Sequence, residues 1–400
     1  MATPRCIPDI IAEHLDELPF DCGRRASIRC SRVHVLADLE RLDERIAGRL
    51  DGLALGGTDA LDGALSLLEG SDPEHRMAGA LIAAMLDTSA AWNAVRAAAD
   101  IDPATLSESL TLIGVMPPER LVADWTAGDA GLRLIPLELA IRRRGVVSMP
   151  PDLLAHQDPA IRARAWRSAS SGDLGAGIPS SSAPQAVRTA ALSSAAWNGW
   201  QGLLEHCRRS CRGGSVDRIP EMLMLSALAE PGDDDLLWSS CADATLGRHR
   251  FELAARWGRP LVAPLLIDAM TSIDRDGAIA AGEAFTHLFG IDLPADSAPG
   301  DGQPVSSGDG DVDGPASRPD ADRARSHWEH VRPRLERVPR IIRGLDAATI
   351  AFEDLDMESR DDALVRSVRA GTGSDRWEVM RLRASLCRQR HSTPANASHA

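Results

Sequence analysis

DPAIRARAW, residues Asp158 to Trp166, reads as the opening of a helix. The aspartate carboxylate accepts bonds from the unpaired N–H groups of a first helical turn, and proline fits there because it has no N–H to leave unsatisfied. The same pattern recurs on both sides. It stands as Asp72-Pro73-Glu74-His75-Arg76, as Asp102-Pro103-Ala104-Thr105-Leu106 with leucine for arginine, as Asp129-Ala130-Gly131-Leu132-Arg133, and in weaker form as Pro184-Gln185-Ala186-Val187-Arg188. The last positions of these units, 76, 106, 133, 162 and 188, lie 30, 27, 29 and 26 residues apart. A period of about 28 residues holds two short helices and two tight turns, one helical hairpin per repeat.

The expected fold is therefore all-α, an α-solenoid of helical hairpins. In such a stack Asp72, Asp129 and Asp158 cap second helices, and Arg76, Arg133, Arg162 and Arg188 pair with acidic groups of neighbouring repeats, with partner binding by Arg133, Arg162 and Arg188 as the alternative. Ahead of the repeats, apolar residues at Val35, Leu39, Leu42, Ile46 and Leu50 step by three and four, which predicts a helix over 35–53. Glu40, Arg41, Asp43 and Glu44 fall between them and are expected on its solvated face. A shorter helix is expected over 9–18, with Ile10, Ile11, His14, Leu15 and Leu18 inward. Further on, 248–257 and 259–270 read as a hairpin and 273–289 as a closing helix.

Residues 291–322 change character: eight aspartates, one arginine and many Gly, Pro and Ser give an expected disordered linker that carries half of the net charge of −14. Within it Asp309, Asp311, Asp313 and Asp320, with Gly314 at the sixth position, have the spacing of a calcium loop. Pro315 and Pro319 inside the loop and an aspartate at its twelfth position count against that reading. Residues 323–400 hold fifteen arginines against eleven acidic residues, with helices expected over 327–342, 359–370 and 375–388. The expected organisation is an N-terminal helical cap (1–57), the repeats (58–290), the acidic linker (291–322), a small helical segment (323–390) and a disordered tail (391–400).

Composition narrows the functions. All 44 basic residues are arginine, and the net charge of −14 disfavours nucleic acid or an anionic membrane as partner. The first twenty residues lack the charged start and apolar core of a signal peptide, and no window has the apolar length of a membrane span, so a cytoplasmic protein is expected. Seven irregularly spaced cysteines then read as reduced thiols. Among them Cys207 and Cys211, with His206, match no zinc-finger spacing and read as half-buried groups on a helix.

Nothing in the sequence supplies a nucleophile with a placed base, a phosphate-cradling loop or a cofactor motif, so no catalytic or cofactor residue is assigned. Trp166, Trp197 and Trp200 fall on neighbouring units and are candidates for a protein-recognition surface, with core packing as the alternative.

LADLERLDERIAGRLDGLALGG at 36–57, DPAIRARAW at 158–166 and AAGEAFTHLFGIDL at 280–293, with the looser ALVRSVRAGTGSDRWEVMRLRASL at 363–386, resemble a family of bacterial HEAT-like repeat proteins of unassigned function. That family is similar to the short repeats of phycocyanobilin lyase subunits. The resemblance implies an α-solenoid and a scaffold or adaptor acting on other proteins, often beside type VI secretion genes, and it carries no catalytic residue. The Asp/Gly/Pro stretch after Leu293 departs from the family pattern. Two further readings stay open: an enzyme or ligand carrier akin to bilin-handling proteins, and a nucleic-acid-binding solenoid with a basic concave face.

Overall fold

Every Asp-Pro pair in the chain opens a helix. Asp72 Oδ1 accepts from Glu74 N at 3.0 Å, Asp102 Oδ1 from Thr105 N at 3.1 Å and Asp158 Oδ1 from Ala160 N at 2.8 Å. Asp129 does the same without proline, accepting from Leu132 N at 3.0 Å. The computed structural model describes residues 8–29, 31, 34–144, 148–170, 172–212, 216–293, 318–350 and 354–370. Within them the fold is all-α, with nineteen α-helices and one two-stranded hairpin. The chain sorts into two compact units, 1–200 with 353–400, and 201–352, so the second unit is inserted in the sequence of the first.

The first unit holds α1 (Pro8–Arg29), α2 (Leu36–Gly56), α3 (Thr58–Glu69), α4 (Pro73–Leu86), α5 (Ser89–Ala99), α6 (Pro103–Ile113), α7 (Glu119–Thr126), α8 (Ala130–Arg144), α9 (Pro151–Leu154), α10 (Pro159–Arg167) and α11 (Gln185–Trp197). α3, α5, α7 and α9 each pack on the helix that follows them, while α4, α6, α8, α10 and α11 touch in succession. Before α11 the first helix of the hairpin shrinks to a 3-10 turn at Asp173–Ala176. Hairpins stack closely because small residues line the crossings: a Cβ on Gly79 of α4 would lie 2.8 Å from the Ala64 carbonyl of α3.

Two expectations about the N-terminal helices need correction. α1 does not stop near Leu18 but runs through Pro19 to Arg29, because Leu18, Cys22 and Ile28 continue its buried stripe; Ile10 is 42% exposed and not inward. Asp43 is not on the solvated face of α2, since it is 1% exposed and paired with Arg25 of α1. Neighbouring charges extend the seam: Arg45 and Arg49 both bond Asp21, which is also buried.

The second unit repeats the hairpin arrangement with α12 (Leu203–Cys211), α13 (Ile219–Leu228), α14 (Asp234–Ala242), α15 (His249–Trp257), α16 (Ala263–Met270), α17 (Arg275–Phe289) and α18 (Ala321–Leu335), followed by β1 (Ile341–Ile342) and β2 (Leu345–Asp346). α13, α15 and α17 form its row, each packed on the helix before it. The helix expected over 327–342 ends at Leu335. Arg343 and Gly344, at φ 51° and 76°, form a two-residue turn with the strands pairing on either side, geometry that requires positive φ at both positions.

That hairpin closes the carboxyl ends of all three row helices. Arg340 donates to the Ser226 and Ala227 carbonyls of α13 at 2.9 and 3.0 Å, Ile341 N to Gly258 O after α15 at 2.7 Å, and Arg343 N and Gly344 N to His287 O and Leu288 O of α17 at 3.0 and 2.8 Å. Helix ends leave such carbonyls unsatisfied, and a guanidinium there also meets the negative end of the helix dipole. The chain then returns to the first unit as α19 (Met357–Ala370), which starts two residues before the expected 359. The expected helix over 375–388, the tail and most of the linker lie outside the described residues.

Candidate functional site

Arg76, Arg162 and Arg188 turn back onto the loops that precede their own helices. Arg76 donates to Ser71 O at 2.9 Å, Arg162 to His156 O at 3.3 Å and Arg188, only 2% exposed, to Ser181 O at 3.0 Å. Arg76 and Arg133 meet acidic groups further along. Arg76 lies 3.6 Å from Asp102, the cap of the next repeat, and Arg133 forms a two-bond pair with Asp152 at 2.7 and 3.3 Å. The Arg133 guanidinium holds the Asp152 carboxyl below the usual carboxylate range. These side chains tie loops and helix ends to one another.

A polar relay that sequence reading missed joins three successive second helices. Glu138 of α8 accepts from the Ser107 hydroxyl of α6 and from Arg164 Nε and Nη2 of α10 at 3.2 and 2.8 Å, and Arg164 also donates to Pro103 O at 3.3 Å. The members lie 31 and 26 residues apart, the repeat spacing, which was the one available signal. Ser107 is 2% exposed and Glu138 accepts from two neighbouring helices at once, so the relay fixes helix register.

Trp166 and Trp197 are 7% and 8% exposed, and the Trp166 indole donates to Leu154 O at 3.1 Å, so both serve the interior; Trp200 is half-buried. Cys207 and Cys211 are fully buried, where they were expected half-buried, and burial pushes the Cys211 thiol up to about 12. Among the described residues no group of three or more His, Cys, Asp or Glu side chains could hold a metal. Of the calcium candidates, Asp320 caps α18 by accepting from Arg323 N at 2.8 Å, and Asp309, Asp311 and Asp313 lie outside the described residues.

The feature with most binding character is the seat of α19. It packs on both α1 and α11, the first and last helices of the run before the insertion. Its start is fixed by a bridge between Val35 and Asp356 and by Met357 N donating to His34 O at 3.1 Å. Met357 joins the apolar cluster of Leu39, Leu42 and Leu112. Asp356, itself 0% exposed, caps the helix by accepting from Ser359 N at 2.9 Å. Ser359, Arg360, Asp362 and Val365 are buried as well. The first unit thus holds a charged helix against its own row.

No described helix is long and apolar enough to cross a membrane. Comparison with family models, curated proteins and solved structures returns no match for this chain.

Proposed function

We propose that this chain is a non-catalytic protein-binding scaffold or adaptor, an α-solenoid of HEAT-like hairpins that presents its row of second helices to helical segments of other proteins. The observation that carries this reading is α19, a helix distant in sequence that lies on α1 and α11. Supporting it are the successive hairpins of both units and the cross-repeat bonds of Arg76, Glu138 and Arg164, which stiffen a surface built by repetition. The HEAT-like family, the cytoplasm and a place beside type VI secretion components belong to the same proposal.

Cross-linking of the tagged full-length protein in its native cell, followed by gel filtration and mapping of the cross-links, tests it. A stoichiometric complex cross-linked through α4, α6, α8 or α10 is the expected outcome. Recovery of the chain alone with a coloured or other small ligand favours the ligand-carrier reading instead. Retention on heparin that falls with salt favours nucleic acid.

A further inference from the structure

The helices α1, α4, α6, α8, α10 and α11 touch in succession. Five steps at the usual interaxial distance of 8–10 Å would set α1 and α11 about 40–50 Å apart if the row were straight. α19 has 14 residues, about 21 Å of helix, and reaches both. One short helix thus bridges the first and last members of the row. Six of its residues are charged, Glu358, Arg360, Asp361, Asp362, Arg366 and Arg369, yet Arg360 and Asp362 are each 8% exposed. α19 also buries Met357 and Val365, at 4% and 7% exposed, so its seat takes apolar and ionic side chains together. Burying ionic groups gains little net free energy even when they are well partnered, because each must first leave water. Covalent attachment compensates, since a tethered segment meets its site at an effective concentration in the millimolar range.

We propose that α19 is an exchangeable occupant of a helix-docking site on the first unit, and that a partner helix with the same chemistry takes the site when α19 leaves. The matching partner carries apolar residues at the positions of Met357 and Val365, with an arginine and an aspartate between them at the positions of Arg360 and Asp362. This inference rests on the protein-binding reading above and adds to it the chemistry of the partner and its competitor within the chain. Polar anchors at the centre of the seat give the site its selectivity, because a wholly apolar helix would leave the groups that face them without partners.

A fluorescein-labelled peptide of residues 354–370 provides the test, titrated by anisotropy into the full-length protein and into its M357D and V365D variants. These variants weaken the tethered helix while the labelled peptide keeps the native sequence. The peptide is expected to bind at least one variant ten-fold or more tightly than the unmodified protein. Hydrogen exchange on the unmodified protein is expected to show the amides of 358–366 opening locally, at least ten-fold faster than those of α4 and α11. Equal or absent peptide binding across well-folded proteins overturns the proposal. So does exchange of α19 in one cooperative step with α4 and α11, a readout independent of how the variants fold. A stoichiometric partner captured while α19 stays protected would sink the exchange and leave the scaffold standing.

Discussion

Arg25 and Asp43, on facing helices, share a salt bridge with Nε to Oδ1 at 2.6 Å while exposing only 2% and 1% of their side chains. A second bond, from Nη2 to Oδ2 at 3.3 Å, makes the contact bidentate. The pair sets the register of α1 against α2, because a slip by one turn would bury both charges alone. D43A is therefore expected to cost about 3–5 kcal/mol in urea unfolding, and R25M/D43L together to come within about 1 kcal/mol of the parent or above it. A small loss in the single variant would show that water reaches the seam.

Asp173 ties the loop before α9 to the loop after α10. Its carboxylate accepts from Ser148 Oγ at 2.8 Å, Met149 N at 3.1 Å, and Ser170 N and Oγ at 2.7 and 2.8 Å. Burial pulls its pKa up, but the backbone and hydroxyl donors together outweigh it and the net shift is downward. A depressed folded pKa means stability that is present above the unfolded value and lost as pH falls through the folded one. D173A is expected to cost about 2 kcal/mol at pH 7, with the difference from the parent shrinking in urea melts below about pH 4. A difference that stays constant down to pH 2.5 would contradict the assignment.

Cys22, Cys211 and Cys241 are buried, and desolvation pushes each thiol up to about 12. At pH 8 the thiolate that attacks a disulfide reagent is therefore scarce as well as shielded. Ellman's reagent with mass-spectrometric mapping is expected to leave these three unlabelled in the native protein and to label them in 6 M urea at about the rate of free cysteine. Prompt native labelling of any of the three would refute their burial.

Glycines at two positions should respond with opposite signs. Gly290 sits at φ 67°, and an added Cβ would lie 2.7 Å from the Arg343 carbonyl, a backbone atom that cannot swing aside. Gly48 lies inside α2 with nothing within 4 Å of such a Cβ. G290A is expected to lose about 2 kcal/mol or more and G48A to gain about 0.5–1 kcal/mol, read from thermal or urea midpoints. A neutral G290A would mean that the hairpin at Arg343 is not seated on α17.

The helices that announced themselves did so through local chemistry. Asp72, Asp102, Asp129 and Asp158 cap helices with bonds that span only two or three residues, so their pattern could be read directly. Asp43 was misplaced because helical periodicity records which positions are apolar and is blind to a guanidinium 18 residues away. Ile341 and Ile342 form a strand where the end of a helix is expected from sequence; the backbone there instead meets carbonyls waiting at Gly258, His287 and Leu288. Trp166 and Trp197 had two readings, recognition and core packing, because no count along the chain says which helix face is covered, and both are buried. The relay through Glu138 follows the repeat spacing, yet Ser, Glu and Arg share no residue type that would have marked it as a repeat.

Because residues 201–352 interrupt the first unit, a ribosome that has finished α11 must still make roughly 150 residues before α19 emerges, a wait of about 8–30 s at common elongation rates. During that interval α1 and α11 are present without the helix that joins them, while the second unit has its whole sequence in hand before α19 is complete. The order of synthesis thus leaves the seat of α19 open in every newly made molecule for a time that is long against helix docking. Any helix met on the way out has first access to it, and the chain's own segment always arrives last.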